Sequence, residues 1–68
     1  MTKQTKKYAI FHWDTFDNIT ILISQSDSRA KIDKVFDKKY KDRVSSQGAD
    51  RVDIVQKGKG IVASYAIK

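Results

Sequence analysis

His12 is the residue of this sequence best suited to acid–base chemistry, and it is the single histidine of the chain. An imidazole titrates near neutral pH, so it can act as a general base when a nucleophile lies next to it. The chain has no cysteine, and the serines at positions 24, 26, 28, 45, 46 and 64 have no second histidine to activate them. Beside Trp13 in an apolar stretch, His12 is more typical of a partly buried or surface strand residue. The sequence therefore predicts a protein that is not an enzyme.

Asp14, Asp17 and Asn18 form a second group that could do chemistry, because carboxylate and amide oxygens are ligands for hard cations. The same residue types are also normal in a tight turn, and their spacing does not match an EF-hand loop. Without cysteine there is no thiolate zinc site. We expect neither a bound metal nor a cofactor.

The charge of the chain is the stronger functional signal. Its 68 residues include 14 Lys and Arg against 8 acidic residues, which gives a formal net charge of +6. Such an excess favours contact with phosphate backbones, acidic proteins or anionic lipid headgroups. One set of cations lies at predicted strand ends and loops: Lys6, Lys7, Arg51, Lys57 and Lys59. Gly58 and Gly60 would let backbone approach phosphates closely, although a hairpin turn explains them equally well.

A second set of cations follows a helical spacing. Lys31, Lys34, Lys38 and Lys41 fall within about a quarter-turn of one another at roughly 100° per residue, on the side opposite Ile32. This stripe is an alternative basic surface, and it is also what an ordinary solvated helix face looks like. Aspartates four residues from three of these lysines, at positions 27, 37 and 42, would neutralise part of the stripe.

The elements that must position these side chains follow from the apolar periodicity. Alternating stretches and one helical stripe occur, in chain order, at residues 8–13, 19–23, 32–44, 51–55 and 61–67. This order predicts a β-β-α-β-β protein of the α+β class, with a small, mostly antiparallel four-stranded sheet and one amphipathic helix on one face. Residues 1–7 are predicted to be a flexible basic arm, and residues 8–68 a single domain. Gly48 is expected to end the helical region with a positive backbone angle.

The aromatic residues exceed what one helix can cover. Tyr8, Phe11, Trp13, Phe16 and Tyr65 cannot all lie beneath it, because a helix shields only one face of a sheet. Of these, Tyr8, Trp13 and Tyr65 are the candidates for stacking on bases or sugars. Core packing is the competing interpretation for each ring, since a domain this small needs its large side chains for packing.

Two functions are compatible with these patterns. The leading hypothesis is a small nucleic-acid-binding domain that contacts DNA or RNA mainly through the phosphate backbone, with possible aromatic stacking. The alternative is a protein-interaction or regulatory module that uses the uncovered sheet face to form a homodimer or to bind a partner as an inhibitor or adaptor, for instance an acidic protein. The apolar run that begins at Tyr8 is too short for a signal peptide or a membrane span, so we expect a cytoplasmic protein without a membrane partner.

Overall fold

The computed structural model describes residues 4–68 and has the predicted architecture. Four strands form one antiparallel sheet, and a helix packs against one of its faces. The elements are β1 (Tyr8–Asp14), β2 (Ile19–Ser26), α1 (Arg29–Tyr40), β3 (Asp50–Gln56) and β4 (Gly60–Ile67). The predicted β-β-α-β-β order and α+β class are therefore confirmed, with strands that extend one to three residues beyond the predicted limits.

The sheet has the strand order β2-β1-β3-β4, so β1 and β3 lie in the centre. The side chains on both faces of β1 are therefore flanked by those of a neighbouring strand on each side, which partly shields them from solvent. In β1, Ala9 and Ile10 are both fully buried although they point to opposite faces. Each of the edge pairings, β1 with β2 and β3 with β4, contains a register shift.

Helix α1 begins after Ser28, whose side chain accepts a hydrogen bond from the backbone N–H of Lys31. Ile32, Phe36 and Tyr40 lie at the spacing of one helix face and are its buried residues. They join Ile10, Val52, Ile54 and Ile67 of the sheet in one apolar core. The helix therefore covers the part of this face that lies over the apolar core.

The helix is shorter than predicted, because it ends at Tyr40 and not at Val44. The N–H groups of Arg43 and Val44 both donate to the carbonyl of Tyr40, at 2.8 and 3.1 Å, which tightens the chain into a turn. Val44 then forms an antiparallel bridge with Ile67, the last residue of β4. Val44 therefore belongs to the edge of the sheet. Its spacing from Tyr40 also fits a further turn of the helix, so the helical period alone could not separate the two possibilities.

Gly48 has a different role from the predicted one. The glycines with a positive φ in the described part of the chain are Gly58 and Gly60, in the β3–β4 turn. A Cβ atom on Gly48 would lie 2.4 Å from the backbone carbonyl carbon of Ile67. The loop after the helix therefore needs glycine at position 48 because it passes directly against β4.

The predicted flexible arm lies partly outside the described residues, which begin at Gln4. Gln4 donates from Nε2 to the carbonyl of Val55 at 3.2 Å. The N–H groups of Thr5 and Lys6 donate to Oε1 of Gln25, at 2.7 and 3.1 Å. Residues 4–7 thus contact both β2 and β3, and the flexibility of the arm as a whole stays a prediction.

Candidate nucleic-acid interface

The face of the sheet away from the helix is open, and strand register places its side chains in three rows. Crossing the sheet in the order β2-β1-β3-β4, the rows are Thr20, Trp13, Arg51 and Ala66; then Leu22, Phe11, Asp53 and Ser64; then Gln25, Ala9, Val55 and Ile61. Residues opposite one another on neighbouring strands point to the same face. The open face is consequently apolar along β1 and at the corner formed by Val55 and Ile61, and polar where Arg51, Asp53 and Ser64 meet.

Trp13 is the more exposed of the two aromatic residues on the open face, of which the other is Phe11. Its side chain is 40% exposed, and it lies directly across from Arg51 on β3. A shallow pocket of about 290 Å³ adjoins it, bounded by β1, β3, β4 and the Gly48–Ala49 part of the loop. A ring and a guanidinium at the rim of a shallow concavity are suited to stacking against a planar group.

Arg51 is held in a small polar network on the same face. Its Nε donates to Oδ1 of Asp53 at 3.1 Å and to Oγ of Ser64 at 2.8 Å. Ser64 in turn donates to Oδ1 of Asp53 at 2.7 Å. The network fixes the guanidinium beside Trp13, and the carboxylate offsets part of its charge.

The other two predicted stacking residues, Tyr8 and Tyr65, lie on the covered face. Tyr65 packs against Phe36 of the helix, with ring centroids 4.4 Å apart. Tyr8 contacts the edge of the core, and the ammonium of Lys7 lies 5.6 Å from its ring centroid. Both rings are half-buried and engaged by neighbours, so Trp13 is the predicted stacking residue that the open face carries.

Four of the five predicted phosphate-binding cations meet at one end of the sheet, which we call the lysine end: Lys6, Lys7, Lys57 and Lys59. The N–H of Lys57 donates to the carbonyl of Lys7 at 2.8 Å, which joins the segment before β1 to the β3–β4 turn. Lys6 is paired with Asp27 at 3.9 Å, and both side chains are well exposed. Within residues 4–68, Lys7, Lys57 and Lys59 form no salt bridge.

The fifth cation, Arg51, is at the opposite end of the strands. Tyr8 pairs with Gln56 next to the lysine end, whereas Trp13 pairs with Arg51 five residues further along β1. At about 3.4 Å per residue, five residues of strand correspond to roughly 17 Å. The predicted site is therefore two sites on the same pair of central strands, one cationic and one aromatic.

The alternative basic stripe on α1 is exposed along its whole length. Lys31, Lys34, Lys38 and Lys41 all lie on the solvent side, opposite Ile32 and Phe36. Among the described residues none of these four lysines forms a salt bridge, and the i,i+4 ion pair of the helix is Arg29 with Asp33, at 3.0 Å. The structure thus keeps the stripe and the lysine end as two separate basic surfaces.

His12 belongs to the covered face, where it joins the sheet to the end of the helix. Its Nε2 lies 3.0 Å from Oδ2 of Asp50, and its Nδ1 lies 3.1 Å from the hydroxyl of Tyr40. A carboxylate only accepts hydrogen bonds, so Nε2–H donates to Asp50, and in the neutral imidazole Nδ1 then accepts a hydrogen bond from the Tyr40 hydroxyl. The hydroxyl of Thr15 also donates to Asp50, at 3.2 Å.

The surroundings of Asp50 and Tyr40 shift the pKa values of these two side chains. Hydrogen bonds from His12 and Thr15 lower the pKa of Asp50 below 3.8, so this residue is a carboxylate at neutral pH. Burial raises the pKa of Tyr40 above 10.0, against a smaller opposing effect of Arg43. A buried phenol with a raised pKa is the reverse of an activated nucleophile. The three side chains connect β1 and β3 to the end of α1.

The residues that could bind a cation are engaged in turn formation. Oδ1 of Asp14 accepts hydrogen bonds from the N–H groups of Phe16 and Asp17, at 2.9 and 3.3 Å. Asn18 takes a positive φ of 54° and completes the turn. In the described residues no three His, Asp or Glu side chains converge as a metal site requires.

Over the same range, no helix is long and apolar enough to cross a membrane.

Sequence reasoning missed two parts of this arrangement. Asp53 and Ser64 were not recognised as partners of Arg51, although Arg51 and Asp53 are two residues apart on one strand and so share a face. The contact of His12 with Asp50 and Tyr40 was also missed. The first was within reach of strand alternation, whereas the second joins residues 28 and 38 positions apart and depends on the tertiary fold.

Comparison with known proteins does not indicate a function for this chain. The chain shows no significant match to any described protein family, curated protein or solved structure.

Proposed function

We propose that this protein is a non-catalytic nucleic-acid-binding domain, which holds the phosphate backbone at the lysine end and stacks Trp13 against a base or sugar. The observation that carries the proposal is the junction of two distant segments. Lys6 and Lys7 precede β1, Lys57 and Lys59 lie in the β3–β4 turn, and a backbone hydrogen bond of 2.8 Å joins them. Two lysine pairs that are fifty residues apart in the chain thereby form one cationic surface.

The chemistry of this surface matches phosphate better than base edges. Lysine is a flexible point charge that attracts phosphates without fixed geometry, whereas arginine reads bases through its planar fork. The lysine end contains no arginine, and Arg51 is occupied by Asp53 and Ser64. We therefore expect the affinity to depend strongly on the salt concentration and weakly on the nucleotide sequence.

Trp13 adds the contribution of stacking. Its indole lies near one end of β1, and the opposite end of β1 adjoins the lysine end. One strand of nucleic acid that runs along β1 and β3 would therefore contact both the indole and the lysines. Stacking of a base on an aromatic side chain contributes about 1–3 kcal/mol and tolerates any base. Single-stranded nucleic acid is therefore the preferred form, because its bases are free to stack.

The test is a titration of the protein with single-stranded and duplex oligonucleotides, both DNA and RNA, at several salt concentrations. Four phosphate contacts predict a slope of log K against log salt of about −3.6 for duplex DNA and about −2.8 for a single strand. The chain has one tryptophan, so its fluorescence reports directly on Trp13. We expect quenching of that fluorescence by single strands.

Two double variants of equal charge separate the two basic surfaces. Lys57→Gln with Lys59→Gln removes half of the lysine end, and we expect the slope on duplex DNA to become shallower by about 1.8. Lys34→Gln with Lys38→Gln removes half of the helix stripe and serves as the control, with an unchanged slope. The absence of binding at low salt, or an equal loss for both variants, would contradict the proposal.

A second function, a protein-interaction module, is supported by the apolar corner of the open face. Val55 and Ile61 are neighbours there, and Ile61 is 56% exposed. A protein partner bound at this corner would be held by apolar burial, so its affinity would change little with salt. Isothermal titration with a candidate partner at low and high salt distinguishes this function from phosphate binding.

A further inference from the structure

The outer edge of β2 is the least protected part of the sheet. β2 is the first strand in the order β2-β1-β3-β4, so one of its two edges has no neighbouring strand. Among residues 4–68, the backbone hydrogen bonds made outside the helix and the strands include none from β2. An edge strand of eight residues with free N–H and C=O groups is a template for pairing with another strand.

The other edge of the sheet is different. At the end of β4, Ser45 donates to the carbonyl of Ala66 at 3.0 Å, and Lys68 donates to the carbonyl of Arg43 at 2.8 Å. Val44 also bridges to Ile67. The loop after the helix therefore covers the end of β4, and β2 has no such cover.

Side chains on β2 also lack the usual protection of an edge strand. Natural edges carry lysines or other charges that prevent pairing, yet Ile19–Ser26 contains no charged residue in a chain of which 32% is charged. Ile19 and Ile21 lie on the helix side of this strand, beyond the reach of the helix, and are 46% and 45% exposed. Ile23, on the same side, packs against the core.

The charges at the two ends of β2 determine which strand fits this edge. The hairpin before Ile19 carries Asp14 and Asp17. At the other end, the N–H of Lys6 donates to the side chain of Gln25, which places the lysine end beside the end of β2. The ammonium of Lys6 pairs there with Asp27, whereas Lys7 forms no salt bridge among the described residues. An antiparallel second copy would bring each acidic hairpin to the lysine end of its partner, whereas a parallel copy would place like charges together.

We propose that two copies of this chain pair through β2 in antiparallel orientation, around a two-fold axis near Ile21. The register that places Ile21 opposite its own equivalent also places Ile19 opposite Ile23, so three isoleucines from each copy meet on the helix side. Antiparallel neighbours in a sheet are related by an axis perpendicular to it. The product is one eight-stranded sheet with both helices on one side and a continuous open face on the other.

The test is the mass of the full chain in solution, measured by light scattering from micromolar to millimolar concentration without nucleic acid. We expect a shift from 7.8 kDa toward twice that value as concentration rises. Hydrogen exchange of the outward amides of β2 should slow over the same range, because they become bonded across the two-fold axis. This readout is independent of nucleic-acid binding, so either proposal can fail without the other.

Ile21→Lys places two like charges at the axis and should leave the protein monomeric over the whole range. Ile61→Lys is the matched control, because Ile61 is an isoleucine on the other edge strand that is at least as exposed as Ile21, and this variant should still dimerise. Circular dichroism tests whether each variant is folded. If Ile21→Lys does not fold, Asp17→Lys in the exposed hairpin replaces it and should weaken the dimer. A monomeric wild-type protein, or equal loss of dimer in Ile61→Lys, would overturn the proposal.

Discussion

The covered and open faces of this sheet are built from alternate residues of the same strands, yet their polar groups are arranged in different ways. On the covered face, His12 lies between Asp50 and Tyr40, and each group has its partner within 3.1 Å. On the open face, Arg51 shares Asp53 with Ser64 beside the exposed ring of Trp13. The first set connects elements, and the second leaves an aromatic ring and a cation facing solvent.

This difference follows from what each face must do energetically. A buried polar group without a partner costs about 1–3 kcal/mol, so the covered face tolerates polar residues only when they are satisfied. This restriction is weaker on the open face, where exposed groups such as the Arg51 side chain also contact water. Its residues are therefore available for binding, whereas substitutions on the covered face act on stability first.

The largest expected effect is the loss of a core ring on the covered face. Phe36→Ala removes a side chain that is 7% exposed and contacts both Tyr40 and Tyr65, and we expect the free energy of unfolding to fall by about 3–5 kcal/mol. The same substitution at Phe16, which is 94% exposed, is the control and should cost less than about 0.5 kcal/mol. Urea denaturation measures both. Similar losses at the two positions would show that the helix does not close the core.

A smaller effect is expected from the hydroxyl of Tyr40. Tyr40→Phe removes the donor to Nδ1 of His12, and the free energy of unfolding should fall by about 1 kcal/mol. Tyr65→Phe is the matched control, since the Tyr65 hydroxyl forms no hydrogen bond with the described residues and its loss should be nearly neutral. Equal unfolding temperatures for the two variants would contradict the proposed link between the end of α1 and the sheet.

The smallest expected effect concerns the stability of the folded protein at low pH. Because the pKa of Asp50 is lower in the folded protein than the ordinary 3.8, its carboxylate stabilises the fold fully above pH 3.8. That contribution is lost as the pH falls through the lower folded value. Asp50→Asn should therefore show a shallower decline of unfolding temperature with acid than the wild type. Parallel curves for the two proteins would show that His12 and Thr15 do not act on this carboxylate.

Local patterns predicted much of the fold, and long-range contacts account for what they did not predict. Alternation located the four strands, and the spacing of Ile32, Phe36 and Tyr40 located the helix. Val44 continued that spacing, but its bridge to Ile67 ended the helix earlier. Gly48 was recognised as significant for the wrong reason, since the close approach to Ile67 has no signature in neighbouring residues.

The candidate site shows the same division. The sequence identified the cations and the aromatic residues, because net charge and residue type need no structure. It could not tell that Tyr65 would pack against Phe36 while Trp13 stayed exposed, since both alternate along strands in the same way. Only the position of the helix assigns one face to the core.

The sequence by itself determined the class of fold, the number of strands and the positive charge, all of which depend on local periodicity and composition. The tertiary structure alone decided that β1 and β3 are central, that four lysines meet at one end, and that β2 is left with a free edge. Strand order depends on which distant segments pair, and pairing is a property of the whole sheet that no short stretch of sequence encodes.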